Sequence, residues 1–211
     1  MEISKNVLEI VSGKTKLPEC PESGLKARSE LFQLHLQTYG YLDNKTKQRA
    51  ELSEYLVGLE FYHHYREKYN VNICGLSLEG KNGTGKTFFM KFLSKFFNVK
   101  MLSEVEIMME YQASGSALAT MDWLKGWWNE KHLIIDEVGA REELKSYGNA
   151  GIMAEVFDWR YNRYKAGYLT FITTNMGADE IEARYGSRIR DRFAEMFTVI
   201  TLQGESWRSK N

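Results

Sequence analysis

The chain has 211 residues, with 28 Lys plus Arg against 28 Asp plus Glu, enough for one sizeable core and a small helical appendage but not for two full domains. Hydrophobic content of 43%, aromatic content of 13% and only 2 Pro exclude a disordered chain or a fibre, and a net charge of zero excludes a global pull towards nucleic acid. No window approaches the roughly 20 apolar residues of a membrane span, and the start MEISKNVLEI lacks the apolar run of a secretory signal, so a cytoplasmic location is expected.

Cys20, Cys74 and the histidines His35, His63, His64 and His132 do not group at ligand spacing, which argues against a disulfide scaffold or a zinc site. Both prolines lie in KLPECPESG, residues 16–24, ahead of a predicted helix over Leu25 to Tyr39. A longer amphipathic stretch from Thr46 to Tyr69 carries Leu52, Tyr55, Leu56, Leu59, Phe61 and Tyr62 at helical spacing. Residues 1–70 are therefore expected to form an N-terminal extension of about two helices, with residues 71–211 as the main domain.

From Val71 the pattern alternates. VNICGLSLEG reads as a strand running into a glycine turn, and KTFFMKFLSKFF as the following helix. A short strand at Val99 to Leu102, a helix from Ser103 to Tyr111, another around Met121 to Asn129 and the apolar strand KHLIIDE come next. A helix over Ala150 to Tyr164 leads to the strand GYLTFITTN, then short helices near Ala178 to Tyr185 and Arg188 to Ala194, and a last strand MFTVITL. Strands alternating with helices predict an α/β domain with a mostly parallel five-stranded sheet covered on both faces.

The sharpest local pattern is GKNGTGKT: Gly80, Lys81, Asn82, Gly83, Thr84, Gly85, Lys86 and Thr87. It satisfies G-x-x-x-x-G-K-[ST] between a predicted strand and helix, with Phe88 as the next residue of that helix. Glycines let successive backbone N–H groups face a phosphate, and the helix that follows adds its positive end. Lys86 is expected to reach the β and γ phosphates and the Thr87 hydroxyl to hold Mg²⁺, with Lys81 a surface member of the loop. A second apolar strand ends in Asp136 and Glu137, the first suited to the Mg²⁺ shell and the second to orienting and deprotonating a water. A third ends in Asn175, whose amide suits a bridge between that water and a γ-phosphate, with Thr173 and Thr174 beside it.

The run from Arg184 to Phe193 holds Arg184, Arg188, Arg190 and Arg192. On a helix Arg188 and Arg192 share a face while Arg190 points elsewhere. Two arginines aimed together with no obvious task in their own chain suggest a neighbouring subunit's triphosphate as the target, the alternative being surface solvation with a pair to Asp191 or a nearby glutamate.

Taken in order, GKNGTGKT, LIIDEVG, ITTN, YGSRIRDRF and GESWR resemble the AAA+ ATPases of the bacterial replicative helicase-loader type, DnaC-like, and the related helper ATPases of insertion-sequence transposition, over about residues 71–208. The resemblance implies a P-loop AAA+ core. Lys86 and Thr87 then look like the Walker A pair, Asp136 and Glu137 like Walker B, and Asn175 like sensor 1. Arg192 looks like an arginine finger acting in trans with Arg188 in support, and Arg208 like the sensor 2 arginine in the nucleotide site. It also implies ATP and Mg²⁺, an open ring or spiral of subunits, single-stranded DNA, and a replicative helicase or, alternatively, a transposase as partner. With the chain ending at Asn211, no helical lid is expected, which fits a compact loader of phage or mobile-element type. Lys125, Trp127, Trp128 and Lys131 mix aromatic and basic groups suited to single-stranded DNA, although Trp123, Trp127 and Trp128 equally suit core or subunit contacts. The competing reading from another class is a nucleotide-binding regulatory module with little hydrolysis.

Overall fold

The computed structural model describes residues 73–114, 130–141 and 151–203, with single positions at 52, 55, 56, 58, 59, 62, 126 and 206. The chain divides into two compact units, Met1–Ile73 and Cys74–Asn211. In the first, Leu52, Tyr55, Leu56, Leu59 and Tyr62 are helical and buried, as their i, i+3, i+4 spacing requires. The predicted helices over Leu25 to Tyr39 and, apart from Gly126, Met121 to Asn129, with the tryptophans of the latter, lie outside the described residues, as does Arg208.

The second unit alternates strands and helices: β1 (Gly75–Glu79), α1 (Lys86–Phe97), β2 (Lys100–Ser103), α2 (Glu104–Ser114), β3 (His132–Val138), α3 (Ile152–Tyr164), β4 (Leu169–Thr174), α4 (Ala178–Tyr185), α5 (Ser187–Met196) and β5 (Phe197–Thr201). The five strands form one sheet in the order β2-β3-β4-β1-β5, and every pairing is parallel. Leu133, Ile134 and Ile135 of β3 and all six residues of β4 are buried whichever face they point to, as expected of central parallel strands covered on both sides. One face packs Leu133, Ile135 and Ile172 against Met153, Val156 and Phe157 of α3 and Ile189 and Met196 of α5. There Phe157 meets Tyr185 and Phe193 edge-on at centroid distances of 5.5 and 4.7 Å.

Local chemistry sets the ends of these elements. Asn98 takes a left-handed φ of 52° to close α1, its N–H bonding the Ser94 carbonyl. Ser103 and Glu106 form a capping box at the start of α2: the Glu106 carboxylate accepts the Ser103 N–H at 2.6 Å, and the Ser103 hydroxyl accepts the Glu106 N–H at 3.2 Å. The Ser103 N–H and the Ser103 hydroxyl, at 2.8 Å, both donate to the Glu106 carboxylate and hold it below the usual carboxylate range.

Arg160 of α3 is fully buried, and no apolar pattern marks it in advance. Its guanidinium donates to the Thr170 hydroxyl at 2.8 Å, the Glu130 carbonyl at 2.7 Å and the Leu169 carbonyl at 2.7 Å. It thereby fastens α3 to the entry ends of β3 and β4. Burial and the nearby Arg163 push its pKa down to about 10, still far above neutral, so it stays charged.

Candidate nucleotide site

Strand order brings the three motifs together. Because β4 lies between β1 and β3, its C-terminal end carries Asn175 between the glycine loop after β1 and the carboxylates ending β3. That rim is where an open parallel sheet places a ligand.

Gly85 precedes α1 with φ +94°, a left-handed conformation that turns the chain sharply into the helix. The first turn of α1 has no acidic residue to neutralise its free N–H groups. At Gly83, with φ +81°, an added Cβ would lie 2.0 Å from the Ser206 hydroxyl oxygen, so the segment after β5 passes directly against the loop. Ser206 is the described residue of the GESWR motif, and it lies against the glycine loop.

Lys86 is buried and its ammonium is fully engaged by the protein: it donates to the Gly80 carbonyl at 2.5 Å, the Lys81 carbonyl at 2.9 Å and Asn175 Oδ1 at 2.7 Å. Burial lowers its pKa, against the opposing pull of Asp136 and Glu137. The Asn175 amide nitrogen donates in turn to Asn82 Oδ1 at 2.8 Å, tying β4 to the loop. Thr84 is buried with its hydroxyl on the Lys81 carbonyl, whereas the Lys81 side chain is exposed. A cleft of about 520 Å³ opens here, with Lys86, Thr87, Glu137 and Asn175 on its wall and Phe88, 44% exposed, at its edge.

The carboxylate pair has a geometry that the sequence does not announce. Three steps along β3, from Ile135 to Val138, face two steps along β4, from Ile172 to Thr174, so β3 holds one extra residue. Glu137 absorbs it with φ +58°, a left-handed conformation that costs a non-glycine residue roughly 1 to 3 kcal/mol. Both members of the pair then meet one hydroxyl: Thr173 Oγ donates to Asp136 Oδ1 at 2.5 Å and accepts the Glu137 N–H at 2.8 Å. Thr174 Oγ donates to the Val138 carbonyl at 2.8 Å and accepts the Met176 N–H at 3.0 Å. Thr173 and Thr174 thus brace β3 rather than sharing the work expected of Asn175. The bulge keeps Asp136 buried while the Glu137 side chain is exposed to the cleft.

Thr87, on the cleft wall, donates from Oγ to Asp136 Oδ1 at 3.1 Å, placing a hydroxyl and a carboxylate oxygen side by side. Magnesium favours oxygen donors and takes one or two from protein while substrate phosphates complete its shell, so this pair fits the ion.

Two further residues support the site. Glu104, the first residue of α2, is fully buried: its carboxylate accepts the Gly139 N–H, the Arg184 guanidinium at 3.0 Å and the Tyr185 hydroxyl at 3.5 Å. Arg184 also donates to the Arg141 carbonyl. Burial works against the Arg184 charge, but Tyr185 and Glu104 outweigh it and raise its pKa. Only the polar character of Glu104 at a helix start was visible in the sequence.

Arg188 and Arg192 do share a face, and Arg190 does point elsewhere, to Glu182 at 3.8 Å and Asp191 at 3.3 Å. The expectation that the first two lack a task in their own chain is corrected. Both hold Asp158 of α3: Arg188 at 3.2 Å through Oδ2, and Arg192 through Oδ1 while its guanidinium lies over the Tyr161 ring at 4.6 Å. Asp158 stands 30 residues before Arg188 on another helix, beyond the reach of spacing arguments. Arg192 is 13% exposed and Arg188 72% exposed.

No protein-family model and no curated protein sequence matches the chain. Solved structures do. The chain is similar to the DnaC helicase loader, at 18% identity and a TM-score of 0.51, over 75% of this chain and 92% of that one. It is similar to DnaI at 17% identity and a TM-score of 0.56, over 77% and 88%. It is also similar to AMPPCP-bound DnaA from Aquifex aeolicus, at 16% identity and a TM-score of 0.52, over 76% of this chain and 49%, about half, of that one. The chain has the AAA+ fold. Within that fold, the rim built by the ends of β1, β3 and β4 carries the glycine loop, the carboxylate pair and Asn175. No helix among the described residues is long and apolar enough to cross a membrane.

Proposed function

We propose that this chain is an ATP-hydrolysing replication protein that loads or remodels a replicative helicase on single-stranded DNA. The observation that carries the nucleotide reading is the convergence of Lys86, Thr87, Asp136 and Asn175, residues from three separate chain segments, within hydrogen-bond distance at one rim. The loader reading is supported by the order of the motifs and by the likeness of the fold to the DnaC helicase loader.

The loop from Gly80 to Thr87 cradles the phosphates on its N–H groups, and the Lys86 ammonium exchanges its carbonyl acceptors for β- and γ-phosphate oxygens. Thr87 and Asp136 hold Mg²⁺, which when bound neutralises charge on those oxygens. Glu137 accepts the proton of the attacking water on its exposed carboxylate, and Asn175 orients that water against the γ-phosphate. Phe88 and Arg208 complete the nucleotide contacts. In an assembled ring or spiral, Arg192 turns from Asp158 to the neighbouring subunit's triphosphate, supported by Arg188.

Phosphate release by the wild type and by Glu137→Gln tests the enzyme. Turnover that falls by about 100-fold or more in the variant, with nucleotide still bound, is expected, since removing a general base typically costs 10²- to 10⁴-fold. A wild type that binds ATP without releasing phosphate would instead make the chain a regulatory nucleotide-binding module. Co-purification with a replicative helicase, against a transposase as the other outcome, tests the partner.

A further inference from the structure

Glu137 keeps an unfavourable backbone conformation, and its surroundings show what sustains it. On the inner side, the Glu137 N–H bonds Thr173 Oγ and the Val138 carbonyl bonds Thr174 Oγ, both within the sheet. On the outer side the chain turns at Gly139, with the Ala140 N–H closing onto the Glu137 carbonyl at 3.1 Å. Among the described residues this turn has no sheet neighbour to hold it. Its anchor is a side chain from a different element: the Gly139 N–H ends on Glu104 Oε2, while Glu104 Oε1 takes Arg184 at 3.0 Å. Arg184 then reaches the Arg141 carbonyl two residues further along the same turn. The turn is gripped at both of its ends by one ion pair, whose carboxylate is fully buried and whose guanidinium is 19% exposed.

An ion pair with a buried carboxylate is a poor stabiliser in itself, because the cost of desolvation cancels much of the attraction. Its geometry is where it contributes. A carboxylate with no exposed surface, with one oxygen on a backbone N–H and the other on a guanidinium, admits little movement of either partner.

We propose that Glu104 and Arg184 are positioning residues that hold the turn after Glu137, and through it the Glu137 carboxylate, in the conformation that meets the attacking water. The proposal rests on the ATPase reading for its kinetic consequence, but not for its conformational one. Arg184 stands in the last turn of α4, directly ahead of the helix bearing Arg188 and Arg192, so the same pair ties the turn to the helix proposed to face a neighbouring subunit.

The full-length protein is compared with Glu104→Gln, which keeps the shape of the side chain but loses its charge. It is also compared with Arg184→Lys, which keeps the charge but cannot fork between Glu104 and the Arg141 carbonyl. Backbone amide exchange is followed by mass spectrometry over residues 137–141, with α1 and β4 as internal references, alongside nucleotide affinity and single-turnover hydrolysis. The expected result is exchange of the turn at least about tenfold faster in both variants while α1 and β4 are unchanged. Hydrolysis should fall on the order of 10- to 100-fold, as for a misplaced reacting group, with nucleotide affinity within about twofold of wild type.

Unchanged exchange of the turn in both variants would overturn the proposal. So would faster exchange spread over α1 and β4, the mark of a merely structural pair, or a loss of affinity matching the loss of hydrolysis. A wild type with no hydrolysis defeats the ATPase reading by itself, and the exchange of the turn then still decides whether the pair holds it.

Discussion

Lys86 keeps its ammonium among the Gly80 and Lys81 carbonyls and the Asn175 amide oxygen, and burial lowers its pKa while Asp136 and Glu137 oppose the shift. A lysine with a lowered folded pKa burdens the fold while it is charged. That cost is present at neutral pH and fades as pH rises through the folded pKa towards the ordinary lysine value. Phosphate binding needs the charged form, so nucleotide affinity should decline with rising pH, beginning below the pH at which an ordinary lysine titrates. A fluorescent-nucleotide titration from about pH 7 to pH 10 checks this, and an affinity flat across that range would remove Lys86 as the charge responsible. The neighbouring carboxylates show how much a single residue position depends on context. Adjacent acidic residues at a strand end are legible in the sequence, but the left-handed φ of Glu137 is not, since nothing about a glutamate favours it. It follows from the bulge, and the bulge from Thr173 satisfying two neighbours with one hydroxyl.

At the scale of elements, β1, α1, β3, α3, β4, α4, α5 and β5 were all legible because each carries a run of apolar residues with its own period, bounded by glycine or polar residues. Their attachments were not. Arg160 is the clearest case, since a charged residue in the middle of a predicted helix reads as solvent-facing, yet it lies in the core and satisfies backbone carbonyls at the entry ends of two strands. Replacing it by leucine keeps the apolar contacts and leaves buried acceptors without donors, at roughly 1 to 3 kcal/mol for each. Arg160→Leu should therefore destabilise the protein by about 3 kcal/mol or more in urea denaturation. A loss under about 1 kcal/mol would show that water or a rearranged strand end replaces it.

For the molecule as a whole, the proposed assembly of subunits turns on Arg188 and Arg192. In the single chain both pair with Asp158, and Arg192 also stacks on Tyr161, so a trans role requires Arg192 to exchange one carboxylate for a more highly charged phosphate group. Arg192→Ala should leave nucleotide affinity within about twofold while lowering turnover of the assembled protein by roughly 10³-fold, the scale of a lost arginine finger. Light scattering with Mg²⁺ and a non-hydrolysable ATP analogue, with and without single-stranded DNA, identifies the assembled state in which that turnover is read. Unchanged turnover there would leave Arg192 as a fastening between α5 and α3.

Among the described residues, the sequence by itself determined the strand and helix succession, the glycine loop and the residues at the ends of β3 and β4, because periodicity and short motifs are local properties of the chain. The tertiary structure decided which of those residues meet. Strand order placed Asn175 between the loop and the carboxylates, one extra residue in β3 turned Glu137 towards the cleft, and two arginines of α5 found their partner in Asp158. Each of these joins residues about 30 to 90 positions apart through hydrogen bonds and ion pairs that form only once the sheet and its covering helices have packed.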